Sequence, residues 1–147
     1  MDVKELTILK DKAKHGFVVC FNKECYRREH CLRWIAKAYV PQNTFVQKSV
    51  NLASEAVQGQ NCPMFLKDQK VRMGKGMIHL FEDMPRKMGD TVKAQLISEF
   101  KRTYFYEYRN GKRLITPTTQ NFIATICQQN GWDKSVVYDD YVEDYEW

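Results

Sequence analysis

The sequence predicts a small α+β domain, with short strands around a cysteine cluster in its N-terminal half and a mainly helical C-terminal half. Short apolar runs bounded by turn residues are typical of strands, and they occur in the first half. Apolar residues at helical spacing dominate the second half. The length of 147 residues and the hydrophobic fraction of 44% are sufficient for one core. We therefore expect a single domain over residues 1–147, with lobes at 1–82 and 83–147.

The N-terminal lobe contains five predicted elements. Residues 1–14 are a short amphipathic helix or an extended arm. The apolar run 17–21 predicts a strand that leads into the cysteines, and 31–39 predicts a helix with one apolar face. Residues 44–52 are a second strand candidate. Residues 71–81 are a strand, or a strand that runs into a helix.

The C-terminal lobe carries clear helix signals. The segment 83–85 predicts a helix start, and residues 89–90 predict an interruption before a helix that ends at Phe100. Thr116 and Pro117 predict the cap and first position of another helix, which Gly131 ends.

Composition restricts the class of protein. The aromatic fraction of 13% argues against disorder. No run approaches the roughly 20 apolar residues that span a bilayer, and the N-terminus lacks the apolar core of a signal peptide. We therefore expect a cytoplasmic protein without membrane contact. In that reducing compartment, clustered cysteines are more often ligands than disulfides.

Charge is distributed unevenly along the chain. All 23 Lys and Arg precede residue 136, whereas the last twelve residues carry five acids and no base. A basic body favours DNA or another polyanion as a partner, although a merely solvated basic surface has the same composition. In the tail, Tyr141, Tyr145 and Trp147 alternate with acids, which favours an edge strand docked on the body. The alternative is an acidic segment that covers the basic surface.

The cysteines form the strongest candidate site. Cys20, Cys25 and Cys31 are separated by four and five residues, and Cys62 follows before a proline. Thiolates are the ligands that zinc and Fe–S clusters take, so these four residues are predicted to bind zinc, or alternatively a [4Fe–4S] cluster. Cysteine is also a common core residue, and in that case no metal is bound. Cys127, on an apolar helix face, is predicted to be such a core residue.

Catalytic signals are absent from the sequence. The three histidines have no recognisable spacing with a cysteine and an acid, and neither HExxH, Walker A nor GxSxG occurs. We therefore predict no catalytic residues and a non-enzymatic protein.

The basic aromatic stretch from 102 to 115 is either a β-hairpin around Asn110–Gly111 or a helix that Gly111 ends. With a helix at 102–109, its layout after the preceding helix resembles the helix-turn-helix of small bacterial and phage repressors. That resemblance implies contacts to bases and phosphates. The predicted nucleic-acid-binding residues are Arg102, Thr103, Tyr104, Tyr106, Arg109, Asn110, Lys112 and Arg113. The alternative is a structural segment with packed aromatics and solvated arginines.

The cysteine pattern also resembles a family of small bacterial proteins of unknown function. The resemblance rests on Cys20, Cys25 and Cys31-Leu32-Arg33, followed by Cys62-Pro63, and extends to Arg109–Arg113 and Tyr141–Trp147. It implies that the four cysteines act as a unit and carries no established activity.

Together these patterns favour a small metal-binding protein, with a structural zinc ion, that acts as a non-enzymatic regulatory or nucleic-acid-binding module. The alternative is a protein-interaction adaptor whose cysteines are purely structural and whose basic face binds a protein partner.

Overall fold

The computed structural model describes all residues from 1 to 147 and confirms the α+β class, with seven α-helices and one two-stranded antiparallel sheet. The chain divides into two compact units. Residues 1–69 with Trp147 form one, here termed the cysteine unit, and Lys70–Glu146 form the other, here termed the helical unit. The division therefore precedes the predicted lobe boundary at 82 and 83, because residues 71–75 pair with the C-terminal strand.

The cysteine unit contains three helices, α1 (Val3–Lys14), α2 (Leu32–Ala36) and α3 (Glu55–Gln58), and two 3₁₀ turns, Arg28–His30 and Lys37–Tyr39. Helix α1 begins with a capping box, in which the Asp2 carboxylate accepts from the Glu5 N–H and the Glu5 carboxylate accepts from the Asp2 N–H. This resolves the choice between helix and arm at residues 1–14 in favour of the helix.

The strands predicted at 17–21 and 44–52 do not form, and only the isolated bridge between Val19 and Ser49 joins these segments. The neighbouring backbone groups bond elsewhere. The Cys20 N–H donates to the carbonyl of Arg33, and the Phe17 carbonyl accepts from the Gln47 side chain. A continuous ladder needs those groups, so the strand prediction was wrong here although the apolar pattern was real.

The core of the cysteine unit is small. Leu9, Val19 and Ala36 are fully buried. Partly buried hydrophobic side chains pack around them: Phe17, Ile35, Tyr39, Val40 and Trp147.

The helical unit has the order β1 (Val71–Lys75), α4 (Ile78–Asp83), α5 (Arg86–Phe100), α6 (Arg102–Arg109), α7 (Pro117–Gln129) and β2 (Asp140–Asp144). Strand β1 pairs with β2 along its whole length, from Val71 opposite Asp144 to Lys75 opposite Asp140. The predicted docked C-terminal strand is thus confirmed. Residues 71–81 are a strand that runs into a helix.

The helices of this unit enclose the larger core, in which Leu96, Phe105, Ile115 and Ile123 are fully buried. Helix α7 begins after Thr116, whose hydroxyl accepts from the Thr119 N–H as predicted.

Two sequence predictions for this unit have different outcomes. The interruption predicted at residues 89–90 does not occur, because Gly89 is buried inside a continuous α5. The helical alternative for 102–109 is confirmed, and Gly111 follows its end with a positive φ of 75°. No helix in the structure is both long and apolar enough to cross a lipid bilayer.

Candidate metal centre

Four cysteines from three separate segments line one small cavity in the cysteine unit. Cys20, Cys25, Cys31 and Cys62 face a space of about 20 Å³. A cavity of this size accommodates one water-sized particle, because a water needs about 10–15 Å³ on this measure. The structure therefore places all four residues of the predicted metal site on the lining of one small cavity.

Backbone hydrogen bonds hold the segments that carry these cysteines. The Cys20 N–H donates to the Arg33 carbonyl at 3.0 Å, which joins the first cysteine to the helix after Cys31. The Leu32 N–H donates to the Leu66 carbonyl at 2.8 Å, so the segment after Cys62 is joined to the same helix. Consecutive turns place Cys25, because its carbonyl accepts from the Arg28 N–H at 3.2 Å.

Cys31 occupies the cap position before α2, and the helix predicted at 31–39 consists of α2 and the 3₁₀ turn that follows it. Its carbonyl accepts from the N–H groups of Trp34 and Ile35, and its side chain is buried. Cys20, Cys25 and Cys62 are half-buried. One thiol of the cluster is thus shielded from water, while the other three are partly accessible.

Arg33 joins the cysteine-bearing segments, a role that the sequence analysis did not assign to it although it belongs to the Cys31-Leu32-Arg33 motif. Its Nε donates to the Met64 carbonyl at 2.8 Å and its Nη1 donates to the Val18 carbonyl at 2.9 Å. Each acceptor lies two residues from a cysteine of the cluster, Cys62 or Cys20. A single guanidinium therefore joins all three cysteine-bearing segments. Only its place two residues after Cys31 connects it with the cluster in the sequence.

Electrostatics link Arg33 to the thiols. Burial is the main cause that lowers the pKa of Arg33, and negative charge at Cys31, Cys20 and Cys62 opposes that change. Burial raises the pKa of the Cys20 thiol, a hydrogen bond from the Asn22 backbone lowers it, and charge on the other three cysteines raises it further. Four thiolates repel one another, so the deprotonated form of these cysteines is favoured only where a cation compensates their negative charge.

Aromatic and basic side chains surround the cavity. Trp34 and Phe65 line it. The guanidinium of Arg27 lies 4.1 Å from the Phe65 ring centroid, and that of Arg28 lies 5.5 Å from the Trp34 ring centroid. These contacts add two further cations to the surroundings of the thiols.

The side chains do not stand in coordination geometry. No group of three or more His, Cys, Asp or Glu side chains is arranged as a metal site in the structure. All five cysteines are free thiols, and Cys127 lies in the core of the helical unit as predicted. The four-cysteine arrangement is therefore a shared cavity, and zinc binding stays a prediction.

The predicted nucleic-acid-binding residues lie on and after α6, but on different faces. Tyr106 has Arg102 and Arg109 near its ring, with ring-centroid distances of 5.6 and 6.0 Å. Tyr104, two positions earlier, contacts Arg113 at 4.3 Å. Two residues correspond to about 200° of helix rotation, so the two tyrosines point in nearly opposite directions.

The remaining members of the predicted set, Thr103, Asn110 and Lys112, are exposed. Only Lys101 lies between α5 and α6, with φ 71°. The helix-turn-helix of repressors uses a turn of about three to four residues. The connection here is shorter than that motif requires, and the contacts to bases and phosphates stay a prediction.

The fold and the site together define a small α+β protein with a four-cysteine cluster. The chain belongs to the family of unknown function DUF6078, whose model matches residues 1–147. This finding confirms the predicted membership of an uncharacterised family. Neither a curated protein nor a solved structure was found to be similar to the chain.

Proposed function

We propose that this protein binds one zinc ion through Cys20, Cys25, Cys31 and Cys62, and that the metal stabilises a non-enzymatic binding module. The observation that carries the proposal is the convergence of all four thiols, from three segments, on one cavity of about 20 Å³. Four cysteine ligands are typical of closed structural zinc sites. The sulfur atoms must move toward the cavity centre to reach the Zn–S distance of about 2.3 Å.

Charge compensation supports the same proposal. A zinc ion with four thiolates carries a net charge of minus two, and Arg33 already interacts with Cys20, Cys31 and Cys62. Arg28 also lines the cavity. Cations beside a metal–thiolate centre lower the free energy of its charged form, because the local dielectric constant is below that of water.

The ligand set favours zinc over a [4Fe–4S] cluster, because closed structural sites built from four cysteines are a common use of zinc. Absorption spectra separate the two, since zinc–thiolate centres are colourless and iron–sulfur clusters are brown.

Metal content tests the proposal. Protein expressed without an affinity tag and purified anaerobically should contain about one zinc per chain. Cys25→Ser should lose the metal and melt at a lower temperature, because a structural zinc site contributes its binding free energy to folding. Cys127→Ala is the matched control and should keep the metal, because Cys127 lies in the other core. Wild-type protein that folds without metal and takes up none when zinc is added would refute the proposal.

An adaptor with purely structural cysteines is the second candidate function. Phe45 and Val46 favour it, because they are 99% and 88% exposed in a loop of the cysteine unit. Contiguous exposed apolar patches mark protein contact sites, and for this candidate function we infer that the adjacent pair is part of one. For this candidate, Cys25→Ser should leave the fold intact, and Phe45→Ser should remove a salt-insensitive protein interaction.

A further inference from the structure

Three cations surround the ring of Tyr106 in the helical unit. The Lys93 ammonium lies 5.3 Å from the ring centroid, and the guanidinium carbons of Arg102 and Arg109 lie 5.6 and 6.0 Å from it. Lys93 belongs to α5, and the two arginines belong to α6. Two helices therefore direct positive charge at the same aromatic side chain.

These cations have no acidic partners. Lys93, Arg102 and Arg109 form no ion pair, whereas Arg113 pairs with Glu107 at 2.8 Å on another face of α6. Like charges that lie close together repel each other and cost free energy, unless an anion is bound between them. Glu107, the acid of α6, thus pairs with Arg113 and not with the cations around Tyr106.

A cleft adjoins this cluster. Lys93 and Arg109 line a space of about 330 Å³ together with Arg86, Phe81 and Met84. This volume is at the lower end of the range for small-molecule sites, about 300–1,000 Å³. The cleft thus joins unpaired cations to two apolar side chains, a combination that fits a small organic anion.

Two carboxylates also line the cleft. Glu82 contacts the His79 ring nitrogen at 3.1 Å, so it already has a partner, whereas Asp90 forms no ion pair. The three cations of the cleft lining, Arg86, Lys93 and Arg109, exceed these two acids by one positive charge, and Arg102 in the adjoining Tyr106 cluster adds a second. A phosphate monoester dianion has the charge that balances this excess.

The hydroxyl of Tyr106 responds to the same charges. Its pKa is lowered first by a hydrogen-bonding interaction with Lys93 and also by the positive charge of Lys93, Arg102 and Arg109. The surroundings therefore stabilise negative charge at the position of this oxygen, which agrees with the geometry of the cluster.

We propose that Lys93, Arg102 and Arg109 bind the phosphoryl group of a small phosphate monoester, with the remainder of the ligand over Phe81 and Met84 in the cleft. Arginine forks bind phosphate oxygens in a bidentate manner, and lysine adds a point charge. Phosphorylated metabolites and mononucleotides share this chemistry. The site lies within the helical unit and does not depend on the proposed metal.

Calorimetric titration of the full chain at low ionic strength tests the site, with inorganic phosphate and adenosine 5′-monophosphate as the two probes. Both should bind. Tighter binding of the nucleotide than of phosphate would show that the organic part of the ligand occupies the cleft. Lys93→Gln and Arg109→Gln should each weaken binding by about tenfold, because each removes a charged hydrogen-bond donor. Arg113→Gln is the matched control and should leave the affinity unchanged, since Arg113 pairs with Glu107.

A spectroscopic titration locates the ligand without relying on variants of the cationic cluster. Saturating phosphate should raise the pKa of Tyr106, because the bound anion offsets the positive charge near the hydroxyl. The difference between wild type and Tyr106→Phe isolates this tyrosinate signal. An unchanged Tyr106 titration at saturating phosphate would place the anion elsewhere and overturn the proposal.

Two further results would also overturn it. The first is a loss in Arg113→Gln as large as in Arg109→Gln. The second is the absence of binding for both phosphate and the nucleotide. If a single-stranded oligonucleotide nevertheless binds with a steep salt dependence, the cationic cluster is assigned to a nucleic-acid backbone.

Discussion

The guanidinium of Arg33 donates a hydrogen bond of 2.8 Å from Nε to the carbonyl oxygen of Met64. A second bond from Nη1 reaches the Val18 carbonyl at 2.9 Å. Neither acceptor belongs to a helix or a strand, so these bonds join segments that no ladder holds together. The Arg33 side chain thus adds to the backbone hydrogen bonds that join the three cysteine-bearing segments.

Replacement of Arg33 should therefore loosen the cysteine unit. Arg33→Ala removes two hydrogen bonds from a charged donor and should lower the free energy of unfolding by about 2–3 kcal/mol in urea titrations. Arg33→Lys should recover only part of this, since an ammonium lacks the planar fork that reaches both carbonyls. Arg86→Ala is the control, because the Arg86 side chain is exposed and makes no hydrogen bond to another residue. Equal losses in the Arg33 and Arg86 variants would contradict this role.

Asp139 caps α4 from a distant part of the chain. Its carboxylate accepts from the N–H groups of Ile78 and His79 at 2.9 and 3.0 Å. Asp139→Ala should reduce the free energy of unfolding by about 1–2 kcal/mol, the usual cost of losing a cap. Asp133→Ala serves as the control because Asp133 is exposed and makes no hydrogen bond. Amide hydrogen exchange at Ile78 and His79 should accelerate only in the first variant.

Gly74 packs directly against an aromatic ring. A Cβ atom at this position would lie 2.8 Å from two ring carbons of Tyr138. Gly74→Ala should therefore destabilise the helical unit by about 1–3 kcal/mol through overpacking.

Two further variants examine the origin of that effect. Adding Tyr138→Leu should make Gly74→Ala less harmful than it is in the wild-type background, because the ring is then absent. Gly59→Ala should be nearly neutral, since the nearest atoms to its added Cβ lie at 3.7 Å. An additive double-mutant cycle would show that the ring is not the cause.

The buried Cys127 thiol should make the helical unit less stable at alkaline pH. Its side chain is fully buried, and burial raises the pKa of its thiol from 9.0 to about 11. Above pH 9 the unfolded chain loses this proton while the folded chain keeps it, so stability falls as the pH rises toward 11. The complete effect is about 2–3 kcal/mol, from two pKa units.

Urea midpoints at pH 8 and pH 10.5 measure this effect, and Cys127→Ala should show a smaller decrease between them than wild type. Burial also raises the pKa of Tyr138, so Cys127→Ala should still lose some stability between these two pH values. Equal decreases in wild type and Cys127→Ala would show that the thiol does not titrate in this range.

Local patterns were sufficient for much of the fold. The cap at Thr116 and the C-terminal strand depend on residues close in sequence, so their signals are visible without any tertiary information. The choice between a helix and an arm at residues 1–14 stayed open in the sequence, and the structure resolved it. The strands predicted at 17–21 and 44–52 were wrong because strand pairing depends on which distant backbone groups are free. The continuous α5 was missed for a similar reason, because the tertiary packing that buries Gly89 outweighs the low helix propensity of glycine.

The sequence by itself predicted the α+β class and the grouping of four cysteines, and the cysteine motif carried a resemblance to an uncharacterised family. The class depends on composition and periodicity, which are local. Only the tertiary structure decided that Arg33 joins the cysteine segments and that Lys93 and Arg109 meet at Tyr106. Such contacts are between residues far apart in the chain, and they follow from how each helix packs in its own unit.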